Sequence, residues 1–221
     1  NNVFVLAAEN ETYIYTESME IRMDGKIGLR VISAIDKVYY EEQLAQGKTV
    51  TYGTVAIPTS VWQADGRELV LGGIYKLNGK SYSALEIPAV NNWKTTQDKI
   101  YFTGVLTGLN ASTYNTRYTF RSYITVDGKT TYGNVLTQSS YVTAQKMAAS
   151  EQTNSDDRAW LAKNIIDACD DAKKVTKDTN KDGKLDQFGV YDFSWQQAVY
   201  SNGGTIFDKE GKNTTLANNK V

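Results

Sequence analysis

The stretch YTFRSYITVDG, residues 118–128, decides the fold class. Tyr118, Phe120, Ile124 and Val126 fall on alternate positions, which turns them to one face of an extended chain. Aromatic and β-branched residues fill the run, as a half-buried pleated surface favours. Asp127-Gly128 then supplies the positive φ that a two-residue hairpin turn needs. IGLRV (27–31) repeats the alternation with Ile27, Leu29 and Val31 on one face. Asp24-Gly25 and Asn78-Gly79 are turn signals of the same kind, and Asp65-Gly66 reads as another. KVYYEEQLAQG inserts a short helix over 37–46 that stops at Gly47. Residues 19 to about 137 therefore predict a mainly β protein, an antiparallel sandwich in the immunoglobulin or fibronectin style.

The grammar changes near residue 139. SSYVTAQKMAAS is compatible with helix, and EQTNS follows as a polar break. Ser155 is the expected N-cap of a further helix, with Asp156 and Asp157 in its first turn where acids favour the helix dipole. Trp160, Leu161, Ile165, Ala168, Cys169 and Ala172 recur at three-to-four spacing to about Lys174. Another helix is expected over 193–201, ended by Asn202-Gly203-Gly204. The expected division is a β-sandwich module over 1–150 and a small helical region over 151–221 that carries a calcium-type loop.

Composition narrows the chemistry. The chain of 221 residues has 24 basic and 25 acidic side chains, a net charge of -1, so it lacks the basic footprint of a nucleic-acid binder. It contains no histidine, which removes Ser-His-Asp and Cys-His nucleophiles and nearly all catalytic zinc sites. The lone Cys169 has no intramolecular disulfide partner, and its helical context favours a buried, inert thiol. No apolar run reaches the length of a membrane-spanning helix. NNVFVLAAENE has neither a basic n-region nor a full apolar h-region, so no signal peptide is visible there. GIYKLNGKS (73–81) is not a phosphate loop, because five residues separate Gly73 from Gly79, and Asn78-Gly79 reads as a hairpin turn. No carboxylate pair stands in a recognisable glycosidase context, and no enzyme is expected.

VTKDTNKDGKLDQFG (175–189) concentrates oxygen donors. Asp178, Asn180 and Asp182 would offer side-chain oxygens to a hard cation, and Lys184 its main-chain carbonyl. Asp186 would bind directly or through water, and Gly183 allows the sharp turn. Gly189 stands where a calcium loop carries its bidentate glutamate, which places any affinity at the weak end, roughly 10⁻⁴–10⁻³ M. The expected calcium is structural. An Asx-rich turn without an ion is the alternative.

Three sets of aromatic residues are candidates for ligand contact. In FSWQQAVYSNGG (193–204), Trp195 would stack on a sugar ring, with Gln196 and Tyr200 as polar partners. The competing reading makes Phe193, Trp195 and Val199 the core of a short helix. Trp62 precedes the Asp65-Gly66 turn and Trp93 follows Asn91-Asn92, so both sit near loops, where aromatics contact glycans or serve as isolated surface residues.

Two resemblances bear on these candidates. GLRV (28–31), VYYEEQL (38–44), TYGTVAIPT (51–59), YFTGVLTGL (101–109), YTFRSYITVDG (118–128) and SSYVTAQKMA (139–148) together resemble an all-β module of secreted, multi-modular proteins of Gram-positive gut and rumen bacteria. Residues 173–212, with their D-x-N-x-D-G-x-x-D loop, aromatic helix and N-G-G-T-I-F-D hairpin, are similar to a segment of the extracellular solute-binding proteins of carbohydrate ABC importers. A whole receptor of that kind needs two lobes, which this segment alone does not build. The resemblances imply an exported, extracellular or cell-surface protein without catalysis that captures an oligo- or polysaccharide. It would act as part of a solute-binding receptor or as an accessory module beside other modules of a polysaccharide-handling protein. A structural or adhesion module, with the loop used for dockerin-like protein docking, is the alternative.

Overall fold

A computed structural model describes residues 12–173. Three strands and two helices open the described chain: β1 (Ile14–Arg22), β2 (Gly28–Asp36), α1 (Lys37–Ala45), β3 (Val50–Pro58) and α2 (Thr59–Asp65). Four short strands follow: β4 (Ile74–Leu77), β5 (Lys80–Ser83), β6 (Leu85–Pro88) and β7 (Lys94–Thr95). Then come β8 (Lys99–Thr107), β9 (Tyr118–Val126), β10 (Lys129–Gln138) and α3 (Ser140–Ala149). The described chain ends on one interrupted helix: α4 (Ser155–Leu161), a π-helical stretch (Ala162–Asp167) and α5 (Ala168–Lys173).

The long strands form two four-stranded sheets, β1-β2-β8-β7 (sheet I) and β10-β9-β3-β6 (sheet II), and every pairing is antiparallel. Their inner faces share a core. Leu29 and Val31 of sheet I pack in one cluster with Ala56 and Phe120 of sheet II, and Ile35 and Phe102 join Ile124 in another. Gly104 marks a close approach, because a Cβ there would lie 2.7 Å from Thr54 Oγ1 on the opposite sheet. The predicted inward face of β9 is present, with Phe120 and Ile124 buried and Tyr118 and Val126 packed against the core.

Its other face is not solvated as the alternation predicts. α2 and the β4–β5 hairpin fold over sheet II, so Val55, Ile57 and Tyr123 are buried with Val61, Leu69 and Tyr75. Arg121 fastens this cover: its Nε donates to the Gly133 carbonyl at 2.8 Å and an NH1 hydrogen to the Leu69 carbonyl at 3.2 Å. The middles of β3 and β9 are thus buried on both faces of sheet II, while its outer strands β6 and β10 stay largely exposed, and the described residues leave the outer face of sheet I open. The hairpin turns fall where the sequence places them. Asn78-Gly79 and Asp127-Gly128 all have positive φ, the signature of a tight primed turn.

The two sheets are joined along one seam, between β1 and β10. Each strand carries a bulge there, at Thr16/Ser18 and Tyr132/Val135. The Asn134 side chain bridges them: its Oδ1 accepts the Thr16 N–H at 3.0 Å, and its Nδ2 donates to the Thr16 carbonyl at 2.9 Å. One amide side chain therefore reproduces the two-way pairing that a neighbouring strand would give.

The helical region packs on the sandwich. Leu161, Ile165 and Cys169, four residues apart, are buried in the cluster that holds Leu29 and Phe120. The N-cap of α4 is Asn154, not the expected Ser155. Asn154 Oδ1 accepts the Asp157 N–H at 2.8 Å, while Asp156 and Asp157 fill the first turn as predicted. Either residue type caps well, and the register that buries Leu161 decides between them. The predicted α3 is present with Ser139 as its cap, and α1 ends before Gly47, whose φ is 72°.

Candidate functional site

The expected ligand residues divide by position. Trp195, Gln196 and Tyr200, and the loop Asp178, Asn180, Asp182, Lys184 and Asp186, lie outside the described residues. Trp62 and Trp93 lie within them, and the fold treats them oppositely. Trp62 is on α2, shortly before the Gly66 cap, and its ring packs on the Val55–Tyr75 cluster against sheet II. Its Nε1 is buried as well. Trp93 is 51% exposed at the entry to the edge strand β7. Its N–H donates to the Tyr101 carbonyl at 2.8 Å, so the backbone that presents the indole is tied to β8.

The surroundings of Trp93 are aromatic and polar. Asn92 accepts a hydrogen bond from the Tyr52 hydroxyl, and the Tyr52 ring lies 4.9 Å from Phe102 and edge-on to Tyr40 at 6.0 Å. Burial, reinforced by Tyr40, pushes the Tyr52 phenol up to about 12, so it remains a neutral donor at any ordinary pH. Tyr13 stacks on Tyr39 at 4.1 Å across the base of α1. Tyr39, Tyr40 and Tyr52 pack around the Ile14–Ile35–Phe102–Ile124 core at one end of the sandwich. Trp93 follows Asn92 at this aromatic end, with its indole half-exposed.

The open face of sheet I continues from there. Register places Tyr15, Ala34, Tyr101 and Lys94 in one row across β1, β2, β8 and β7. Lys94 Nζ sits 5.8 Å from the Tyr101 ring centre and Lys99 Nζ 4.9 Å from that of Tyr15. Lys99 also binds Glu17 Oε1 at 2.6 Å, and that hydrogen bond raises its pKa. The Tyr15 hydroxyl donates to the Thr12 carbonyl at 2.6 Å, with Asp36 Oδ2 3.2 Å away. Burial first and Asp36 second raise its pKa. Such a surface offers flat apolar planes among fixed donors and acceptors, the combination that suits a polyhydroxylated ring.

Sequence reading did not single out Tyr15, Tyr101, Lys94 and Lys99. Alternation in KIYFTGVLT (99–107) places Lys99 and Tyr101 on one face, but only the strand order β1-β2-β8-β7 brings Tyr15 and Lys94 beside them. Among the described residues no helix is long and apolar enough to cross a membrane. Fold and exposed surface define a two-sheet antiparallel β protein with a helical appendage. No family model and no curated protein matches the chain.

Proposed function

We propose that this chain is a non-catalytic carbohydrate-capture module of an exported, cell-surface protein, built on an immunoglobulin- or fibronectin-like sandwich. The strand order supports the fold reading, since first, second and eighth strands share one sheet while third, ninth and tenth share the other, as in that Greek key. One observation carries the functional reading: Trp93 is half-exposed yet backbone-anchored at a sheet edge, beside Asn92, Lys94 and Tyr101. An indole held in water by a rigid frame is a stacking platform for the C–H face of a sugar, with the flanking amide and ammonium reaching its hydroxyls. No bond is made or broken in this reading. Trp195, Gln196 and Tyr200 are the proposed contacts of the C-terminal region, and the 178–186 loop the proposed site of a weak structural calcium ion.

A glycan array followed by calorimetry tests the reading. The expected result is saccharide binding that Trp93→Ala weakens at least tenfold, a loss of roughly 1.4 kcal/mol. Loss through Trp195→Ala alone would move the site to the C-terminal region. An array on which no saccharide is retained would overturn the proposal in favour of a structural or adhesion module.

A further inference from the structure

The seam between β1 and β10 opens beyond Asn134 into a groove of about 470 Å³. Met19 lines it from β1, Leu136 and Gln138 from β10, and Thr143, Lys146 and Met147 from α3. The main chain of β1 faces this groove. The Ile21 N–H donates to Met147 Sδ at 3.0 Å, so it points away from β2. Met19↔Val31 and Ile21↔Leu29 are in continuous register, and residues two apart on an antiparallel strand direct their main-chain groups to the same side. The N–H and carbonyl of Met19 are therefore turned toward the groove, where no described residue pairs with them.

Each position on this edge has a different status. Thr16 is filled by the Asn134 amide, which substitutes for a strand. Ile21 is held by a thioether, a weak acceptor that a peptide carbonyl would improve upon. Met19, between them, has no main-chain partner on the groove side among the described residues. Charge adds a second requirement. Among the described residues Lys146 stands at the groove without an ion pair, whereas Glu20 of β1 is bound to Arg30 at 2.7 Å. Met19 and Met147 give the walls an adaptable apolar lining.

We infer that this groove docks an extended peptide strand bearing a carboxylate, which adds to the free edge of β1 and places its acid on Lys146. Main-chain pairing gives affinity in this mode, and the alternate side chains and the acid give selectivity. The inference stands apart from the saccharide proposal, since it uses none of the same residues.

The test is amide chemical-shift mapping on the full ¹⁵N-labelled chain, titrated with acetyl-Thr-Val-Glu-Val-Thr-amide at millimolar concentration. Two companion peptides carry Lys for Glu or a backbone N-methyl group. Saturable shifts at Met19, Ile21, Gln138 and α3, several-fold weaker for the Lys peptide and lost with the N-methyl peptide, support the inference. Lys146→Glu, an exposed change that should leave the melting temperature in place, is expected to reverse the preference between the Glu and Lys peptides. Equal response to both charged peptides, or no saturable shift in the groove, overturns it. So does a Met19 amide already protected from exchange in the free protein, which would mean that another segment of the chain occupies the edge. Dilution-dependent shifts of the same amides without peptide would assign the groove to a second copy and overturn it equally.

Discussion

Replacing Asn134 by alanine removes the side chain that pairs with both main-chain groups of Thr16 and so ties the edge of sheet I to sheet II. Two hydrogen bonds disappear, the Thr16 N–H to Oδ1 at 3.0 Å and Nδ2–H to the Thr16 carbonyl at 2.9 Å. Each contributes about 1 kcal/mol net. The freed groups cannot rehydrate fully, because Thr16 is 3% exposed, and an unsatisfied buried group adds about 1 kcal/mol more. The Thr16 hydroxyl keeps its 2.6 Å bond to the Asn134 carbonyl, which is main chain, and its contact with Ser122 Oγ. The expected loss is therefore about 2–3 kcal/mol, short of complete unfolding. For a domain of this size that lowers the melting temperature by roughly 4–12 °C. Urea denaturation should show a lower midpoint with an unchanged slope, since the surface exposed on unfolding is the same. Hydrogen exchange at the Thr16 amide should accelerate beyond the global change. A loss below about 0.5 kcal/mol, within the range of ordinary surface substitutions, would refute the claim that one amide serves as a strand.

Other perturbations probe other layers. Gly104→Ala should cost about 1–3 kcal/mol by overpacking, because the new methyl meets Thr54 Oγ1 at 2.7 Å and Thr54 Cβ at 2.9 Å across the inter-sheet gap; wild-type stability by denaturation would disprove that close approach. Strong acid should loosen the cover of sheet II. A hydrogen bond from Arg67, aided by the Lys76 N–H, lowers the Asp65 carboxyl to about 2, so its contribution is present above the usual carboxylate range near 3.9 and lost as pH falls through about 2. Asp65→Asn should flatten the melting curve over that window. At the alkaline end, burial raises Tyr52 and Tyr123 to about 12, so their stabilisation is full below pH about 10 and lost as pH rises through about 12; phenolate absorbance should show a late-titrating class of tyrosines. Calcium should raise the melting temperature by a few degrees, and Asp182→Ala should abolish the rise; a wild type indifferent to calcium removes the ion from the proposal.

The parts of the fold legible in the sequence were those set by short-range rules. Alternation gave the inward face of β9, and Asp-Gly and Asn-Gly pairs gave the hairpins, because both depend on neighbouring residues alone. What covers a face does not. Thr119, Arg121 and Tyr123 look like a solvent face in the sequence, and they are covered because α2 and the β4–β5 hairpin return over them. The Asp65-Gly66 signal places Trp62 near a turn, with no sign of the helix that carries it. That signal is the left-handed cap of a helix, with Gly66 at φ 77°, and the same glycine serves either structure. The Asn134 bridge was beyond reach, since it joins residues 118 positions apart through two bulges that interrupt the alternation on which the reading depends.

Burial also confines where recognition by the sandwich can occur. The central strands β3 and β9 of sheet II are covered on both faces, whereas the described residues leave open the outer face of sheet I and its two edges, one of which faces β10. Trp93 stands at the β7 edge, and the Met19 groove lies along β1, with β2 and β8 between them. Three strand spacings of about 4.8 Å put the two sites at least about 14 Å apart. No side chain is shared between them, and coupling over such a distance without common partners is normally within about 0.5 kcal/mol. Trp93→Ala is therefore expected to leave peptide binding at the groove unchanged, and Lys146→Glu to leave saccharide binding unchanged, with the double variant additive in both assays. A saccharide that shifts the Met19 amide, or a peptide that competes with it, would show instead that sheet I carries a single continuous surface, and both site assignments would have to be redrawn as one.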